Sequence, residues 1–160
     1  MHVHPSRSLV RTVHAAAAVI ATLLPAGFLL ASAGAELTKS PEVVSGVRHG
    51  ILLAVPALAA AVGASVASGR SLAGRSRHRV VRRKLARMKF VAPNALLVLV
   101  PAAIALDRLA ASNQFGAPFV LVQAIEFAAG GVNVALLALN VRDGLGLRPG
   151  RRPGVAPRAA

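Results

Sequence analysis

The chain has 160 residues, of which 55% are hydrophobic and 15% are charged, and its mean hydropathy is +0.62. Because the few charges are clustered, apolar runs of about 18 or more residues remain between them, and such runs predict transmembrane helices rather than a soluble core. The chain has no cysteine, which excludes disulfides, thiolate catalysis and Cys-ligated zinc.

Four apolar segments are long enough to cross a bilayer. We predict an all-α bundle of four transmembrane helices, over residues 9–32, 51–68, 90–106 and 118–141. Membrane helices tolerate the prolines that lie inside the first three segments, because neighbouring groups satisfy the freed backbone. The transmembrane domain is predicted to fill residues 1–143. The Gly-, Pro- and Arg-rich tail at 144–160 is predicted to be disordered.

The connections between these segments differ sharply in charge. Arginine and lysine are concentrated in the N-terminus, in residues 69–89 and in the C-terminal tail. By contrast, residues 33–50 offset Lys39 and Arg48 with two glutamates, and residues 111–117 carry no charge. Because cytoplasmic loops of membrane proteins are enriched in Lys and Arg, both termini are predicted to be cytoplasmic.

The first segment has a competing interpretation as a signal peptide. Arg7 and Arg11 fit its charged region, and the Ala-Ser-Ala run at 31–33 fits a cleavage site. The apolar stretch is longer than in most signal peptides, so we favour a retained span; cleavage would leave three. The abundance of Ala, Gly, Arg and Pro is typical of a GC-rich bacterial genome, so we expect a bacterial cytoplasmic membrane protein.

The segment before the third span, RVVRRKLARMKF at 79–90, forms a basic amphipathic pattern. Apolar residues recur at helical spacing with cations on the other faces, which predicts an interfacial helix lying on anionic lipid headgroups. Docking of an acidic partner is the alternative. Nucleic acid is not expected despite the formal charge of +14, because no aromatic residues are interleaved for base stacking. We call its cations the basic loop: Arg79, Arg82, Arg83, Lys84 and Arg87.

The fourth segment carries polar residues along one line. They recur with alternating spacings of three and four, which places them on one helical stripe facing the bundle interior. Its two consecutive glycines would admit a neighbouring backbone, and Ala59, Gly63 and Ala67 of the second span offer a complementary small face. We call this stripe the polar seam: Gln123, Glu126, Gly130, Asn133 and Asn140.

Two interpretations of the polar seam stay open. Its amide side chains are typical of hydrogen bonds that hold membrane helices together. Glu126 is different, because a carboxylate at this depth must be protonated or paired with a cation. Such residues often mark proton or ion pathways, so Glu126 is a candidate transport residue.

Two of the histidines are candidate haem ligands. The spacing of Arg11 and His14 at the head of the first span resembles the membrane cytochromes b, in which such a histidine ligates haem. The resemblance covers only these few residues. His49 lies at the other side of the membrane and the last two spans have no histidine, so His14 and His49 could not share one haem within a chain.

No catalytic motif stands in a believable context, so the sequence predicts no enzyme, no metal site and no cofactor. The leading hypothesis is a non-enzymatic subunit or accessory protein of a larger membrane assembly, either a homo- or a hetero-oligomer. The first alternative is a proton- or cation-coupled transporter that uses Glu126. The second is an electron carrier that holds haem b.

Overall fold

The computed structural model describes residues 6–74 and 79–146, and all the secondary structure within them is helical. Four long helices follow one another: α1 (Arg7–Thr38), α2 (Pro41–Ala73), α3 (Arg79–Ala111) and α4 (Ala117–Leu145). Each of the four is long and apolar enough to cross a membrane. The predicted four-span, all-helical membrane architecture is confirmed at this level.

The turn between α1 and α2 is very short. Lys39 closes α1 in the left-handed conformation, with φ of 55°, and its N–H bonds back to the carbonyl of Glu36. The Ser40 hydroxyl then caps α2 by accepting from the N–H of Val43, and Pro41 occupies the first helical turn. These local signals fold α2 back along α1 as an antiparallel hairpin.

The helices extend beyond the predicted spans at both ends. Residues 33–50, predicted to be a connection, are helical except for Lys39 and Ser40. Residues 79–89 of the predicted loop are helical, as expected, and continue without a break into the third span. Hydropathy detects the segment that matches the hydrocarbon core, and a helix continues past it wherever its backbone bonds and caps are supplied.

The C-terminal prediction is tested only at its beginning. Gly144 and Leu145 belong to α4, and Gly146 ends the helix, so the predicted tail begins as helix. The remainder of that tail lies outside the described residues, as do residues 75–78 of the basic connection.

Helix α3 is interrupted in the middle. Regular α-helix over Arg79–Asn94 and Val100–Ala111 is joined by a π-helical segment, Ala95–Leu99. Pro101 lacks an N–H and cannot bond the carbonyl four residues earlier, so the helix widens locally, and the Val100 N–H bonds Ala95 instead. This widening lies beside the bundle interior.

The four helices are packed tightly at one end only. The largest buried apolar cluster is Ala35, Val44, Leu106, Ala110 and Phe119, near the turns that join α1 to α2 and α3 to α4. At the other end, which we call the basic end, lie the starts of α1 and α3 and the ends of α2 and α4. At the basic end α2 packs on α1, whereas its main contacts with α3 involve Val100–Ala111, which lies toward the other end. The bundle is therefore closed at one end and parted between α2 and α3 toward the basic end.

Candidate functional site

A buried ion pair joins α2 to the polar seam of α4. Arg48 Nη1 lies 2.5 Å from Glu126 Oε2, and Arg48 Nη2 donates to Gln123 Oε1 at 2.6 Å. The Arg48 guanidinium carbon also lies 5.6 Å from the centre of the Phe119 ring. Both charged residues are buried, Arg48 at 2% exposure and Glu126 at 8%. Glu126 therefore has a dedicated cation at a depth where an unpaired carboxylate would be costly.

The position of this pair near the closed end follows from the helix registers. Arg48 falls in the third turn of α2, and Glu126 falls in the third turn of α4, and these two helices run parallel. Phe119 is 2% exposed and meets Phe115 edge to face, with ring centres 5.1 Å apart. The aromatic pair shields the guanidinium from outside, which strengthens its attraction to Glu126.

A second polar contact joins α3 to the middle of the polar seam. The Asn94 side-chain amide donates to Asn133 Oδ1 at 2.9 Å and to the Ala129 carbonyl at 3.0 Å. The Asn133 amide in turn donates to the Val91 carbonyl at 3.3 Å. Asn133 is 4% exposed, so these bonds satisfy groups that lipid could not satisfy. These side chains thus join α3 to α4 by hydrogen bonds, as expected under the first of the two interpretations given above.

A third contact occupies the basic end of the polar seam. Arg87 of α3 donates to Asn140 Oδ1 at 3.1 Å and to Asp143 Oδ2 at 2.7 Å. Asn140 is buried, whereas Arg87 and Asp143 are partly exposed. Arg87, which we grouped with the basic loop, therefore contacts α4 and is not free to lie on lipid headgroups.

The glycines of α4 meet α1 rather than α2. A Cβ on Gly130 would lie 2.9 Å from Leu29 Cδ2, whereas a Cβ on Gly131 would have nothing within 4 Å. The face of α2 that was expected to complement them does not contact them: Gly63 and Gly130 both border a cavity between the helices, and a Cβ on Gly63 would have nothing within 4 Å. Only one of the two glycines thus serves a close approach, and α1 provides the partner.

The two histidines are engaged at opposite ends of the bundle. His14 Nδ1 lies 3.0 Å from the Ser65 carbonyl and 3.2 Å from Ser68 Oγ, which ties α1 to α2 near the basic end. His49 Nδ1 lies 3.3 Å from Asp107 Oδ1 near the closed end. Ser65 and His49 are both on α2 and are separated by about 24 Å at 1.5 Å per residue, so His14 and His49 cannot ligate one haem.

A cavity of about 300 Å³ lies between the four helices. Its wall is apolar except for Ser32, Glu126 and Asn133, and it includes residues of the π-helical segment Ala95–Leu99. The cavity borders the region where α2 and α3 part, where wall residues such as Leu96 are 65% exposed. It therefore opens sideways, toward the position that lipid would occupy around the bundle.

The remaining cations of the basic loop split into two groups. Arg79, Arg82 and Arg83 are exposed, as expected for side chains that lie at a headgroup surface. Lys84 is partly buried and reaches toward α4, where a Cβ on Gly144 would lie 2.9 Å from its Nζ. Lys84 therefore differs from the three exposed arginines, because its side chain is directed toward α4.

The partners of the polar seam were missed from the sequence. Arg48 was assigned to a balanced loop, and Asn94 was not singled out. A signal for Arg48 was present: Val44, Arg48, Ile51, Val55 and Leu58 recur with spacings of four and three, which puts this arginine on an apolar stripe. A cation on such a stripe indicates a buried partner.

Chemically, the arrangement can hold helices together and enclose an apolar molecule. Within residues 6–74 and 79–146, no group of three His, Asp or Glu residues is placed to hold a metal ion. No protein-family model matches the chain, and neither a curated protein nor a solved structure is similar to it, so its geometry is the guide to its function.

Proposed function

We propose that this chain is a non-enzymatic component of a larger membrane assembly, and that it docks through the outward face of α2. The observation that carries the proposal is a line of exposed residues on that helix, Leu53, Pro56, Ala60, Gly63 and Ala67, of which Gly63 also borders the cavity. Their alternating spacings of three and four place them on one stripe. Four of the five are small or compact, which suits close contact with another transmembrane helix.

The limited burial of α2 supports the same proposal. Only 6% of its most apolar stretch is buried inside the bundle, compared with 22% for α3 and for α4. A membrane helix gains little by facing lipid with alanine and glycine, whereas these residues let the backbones of two helices approach closely. The partner that fits the stripe is a transmembrane helix, from a second copy of this chain or from another subunit.

The polar seam supports a helix-packing role over a transport role. Each of its polar side chains is bound to a neighbouring helix: Gln123 and Glu126 to Arg48, Asn133 to Asn94, and Asn140 to Arg87. A proton or cation pathway through Glu126 would require Arg48 to be displaced in each cycle. Transport therefore remains the alternative, and a Glu126→Gln variant with unaltered proton or cation flux would eliminate it.

We also propose that the basic end faces the cytoplasm of a bacterium, with the membrane being its cytoplasmic membrane. Arg11, Arg70 and Arg142 lie at this end together with the basic loop, and the positive-inside rule places such clusters in the cytoplasm. The closed end has Lys39 and Arg108 with acidic residues nearby. A cysteine at Ser71 should react with a membrane-impermeant maleimide only after the inner leaflet is made accessible.

Cysteine cross-linking tests the docking proposal directly, because the natural chain contains no cysteine. We expect Ala60→Cys in native membranes to form a specific cross-linked species, with a second copy or with a partner identifiable by mass spectrometry. The matched control is Leu30→Cys on α1, which is 74% exposed and lies off the stripe. Equal, non-specific cross-linking of both variants would contradict the proposal.

A bulky substitution provides an independent test. Ala60→Leu fills the stripe at an exposed position that does not line the cavity. We expect the native complex to become smaller in blue-native electrophoresis while the thermal stability of the isolated chain is retained. An unchanged complex with Ala60→Leu would overturn docking through this face.

A further inference from the structure

A cation lies partly buried among three helices at the basic end. Lys84 of α3 reaches the open space beside Gly144 of α4, where a Cβ would lie 2.9 Å from its ammonium group. It is within electrostatic range of His14 on α1 and of Asp143 on α4. Asp143 is held by Arg87 at 2.7 Å, and among the described residues Lys84 itself has no carboxylate within ion-pair distance. The local charge is therefore positive.

Lys84 lies nearer the basic end of the bundle than the apolar cavity does. Three residues of the cavity wall, Ala21, Val91 and Leu137, each have a counterpart seven residues nearer the basic end of the same helix. Those counterparts are His14, Lys84 and Gly144. Seven residues correspond to two helical turns, or about 10.5 Å, and return to the same helix face. We use the word compartment for the cavity together with the Lys84 region, which lies on the same helix faces about two turns nearer the basic end; Lys84 itself does not line the cavity.

Gly69 of α2 also leaves space near the basic end, and the His14 side chain occupies it. A Cβ on Gly69 would lie 3.0 Å from His14 Cε1, so the imidazole occupies space that a larger residue would take. The imidazole is bonded to Ser65 and Ser68 and is thereby turned toward α2. Lys84 is left as the cation that faces the compartment from α3.

We propose that this compartment binds one anionic phospholipid from the surrounding bilayer. Its phosphate is held by the Lys84 ammonium, and an acyl chain enters the cavity through the opening between α2 and α3. Three observations fit this occupant. The cavity opens sideways beside Leu96, its wall is apolar, and Lys84 lies about two turns nearer the basic end without an ion-paired carboxylate among the described residues. A charge-assisted contact with phosphate is the chemistry that a lysine in this position offers.

The site is distinct from general attraction between the basic loop and anionic lipid. Arg82 is exposed two residues before Lys84, on the opposite side of α3, and it carries the same charge as Lys84. General attraction predicts equal losses of lipid binding for removing either cation. A site at Lys84 predicts unequal losses. The proposal does not depend on docking through α2, since Gly63 alone of the stripe residues borders the cavity.

Native mass spectrometry of the full-length chain in detergent tests the proposal, with phosphatidylglycerol added and phosphatidylcholine as the neutral competitor. We expect one retained phosphatidylglycerol per chain in preference to phosphatidylcholine. Lys84→Gln should weaken retention by about tenfold, the loss of one charge-assisted hydrogen bond. Arg82→Gln, the matched control, should weaken it by about twofold, as for an exposed charge. Equal losses for the two variants would overturn the site.

The acyl chain and the headgroup can be tested separately. Ala92 lies in the cavity wall, and Ala92→Phe should reduce retention of phosphatidylglycerol while leaving Lys84 in place. Inorganic phosphate in tenfold excess should not displace the lipid. If phosphate displaces it, or if Ala92→Phe retains the lipid fully, the cavity is not the site of the chain. Size-exclusion profiles of each variant distinguish lost binding from lost folding.

Discussion

Arg48 and Glu126 are 78 positions apart in the sequence, yet their side chains form an ion pair at 2.5 Å inside the bundle. The two partners are not equivalent, because a carboxylate can be neutralised by a proton whereas a guanidinium stays charged. Replacing one partner therefore has different consequences from replacing the other.

We expect Glu126→Gln to destabilise the bundle by about 3–5 kcal/mol, because it leaves a permanent cation buried. Arg48→Met should cost less, since the remaining Glu126 can take up a proton. The measurement is reversible unfolding in mixed micelles with increasing sodium dodecyl sulfate. The double variant should be more stable than Glu126→Gln alone, and strictly additive losses would contradict a direct pair.

The amide layer permits a finer comparison. Asn94 makes two hydrogen bonds through one amide group, to Asn133 and to the Ala129 carbonyl. Asn133→Ala removes the bond with Asn94 and the bond to the Val91 carbonyl, but Asn94 keeps its bond to Ala129, so we expect a loss of about 0.6–2 kcal/mol, typical of interhelical hydrogen bonds in membranes. Asn94→Ala also removes two bonds and should cost more, because it leaves the buried Asn133 Oδ1 without its donor. The same unfolding assay ranks them, and a larger loss for Asn133→Ala would reverse the assignment.

The sequence allowed the general architecture to be predicted, for a clear physical reason. Span number depends on hydrophobic length, and the inward direction of the polar seam depends on the cost of polar groups in lipid. Both properties are local to one segment. The side chains of Glu126, Asn133 and Asn140 all face the interior, as their spacing indicated.

The identities of the partners depend on packing, which one helix does not encode. Arg48 lies just outside the apolar window of its span, so hydropathy assigned it to a loop. The contact of Gly130 with Leu29 depends on which helix lies beside α4, and a small-residue face on α2 was an equally good match in sequence. The opening between α2 and α3 is likewise a matter of packing, since the main contacts of α2 with α3 involve Val100–Ala111.

Gly130 and Gly131 provide a matched pair for testing helix contact. A Cβ at Gly130 would meet the end of the Leu29 side chain, which is flexible and borders the cavity. Gly130→Ala should therefore be nearly neutral, while Gly130→Ile should destabilise by about 1–3 kcal/mol through overpacking. Gly131→Ile should be tolerated, since its Cβ meets nothing within 4 Å. Equal effects of the two isoleucines would indicate that α1 does not pack on Gly130.

The contact between His14 and Gly69 links the first two helices near the basic end. A Cβ at position 69 would lie 3.0 Å from the imidazole, a rigid ring held by Ser65 and Ser68. We expect Gly69→Ala to displace the ring and break these bonds, with a loss of about 1–2 kcal/mol that outweighs the helix propensity gained by alanine. In a His14→Ala background the ring is gone, so the same Gly69→Ala change should become neutral or stabilising. Unfolding of the single and double variants checks this reversal of sign, and a loss at position 69 that persists without His14 would show that another neighbour is responsible.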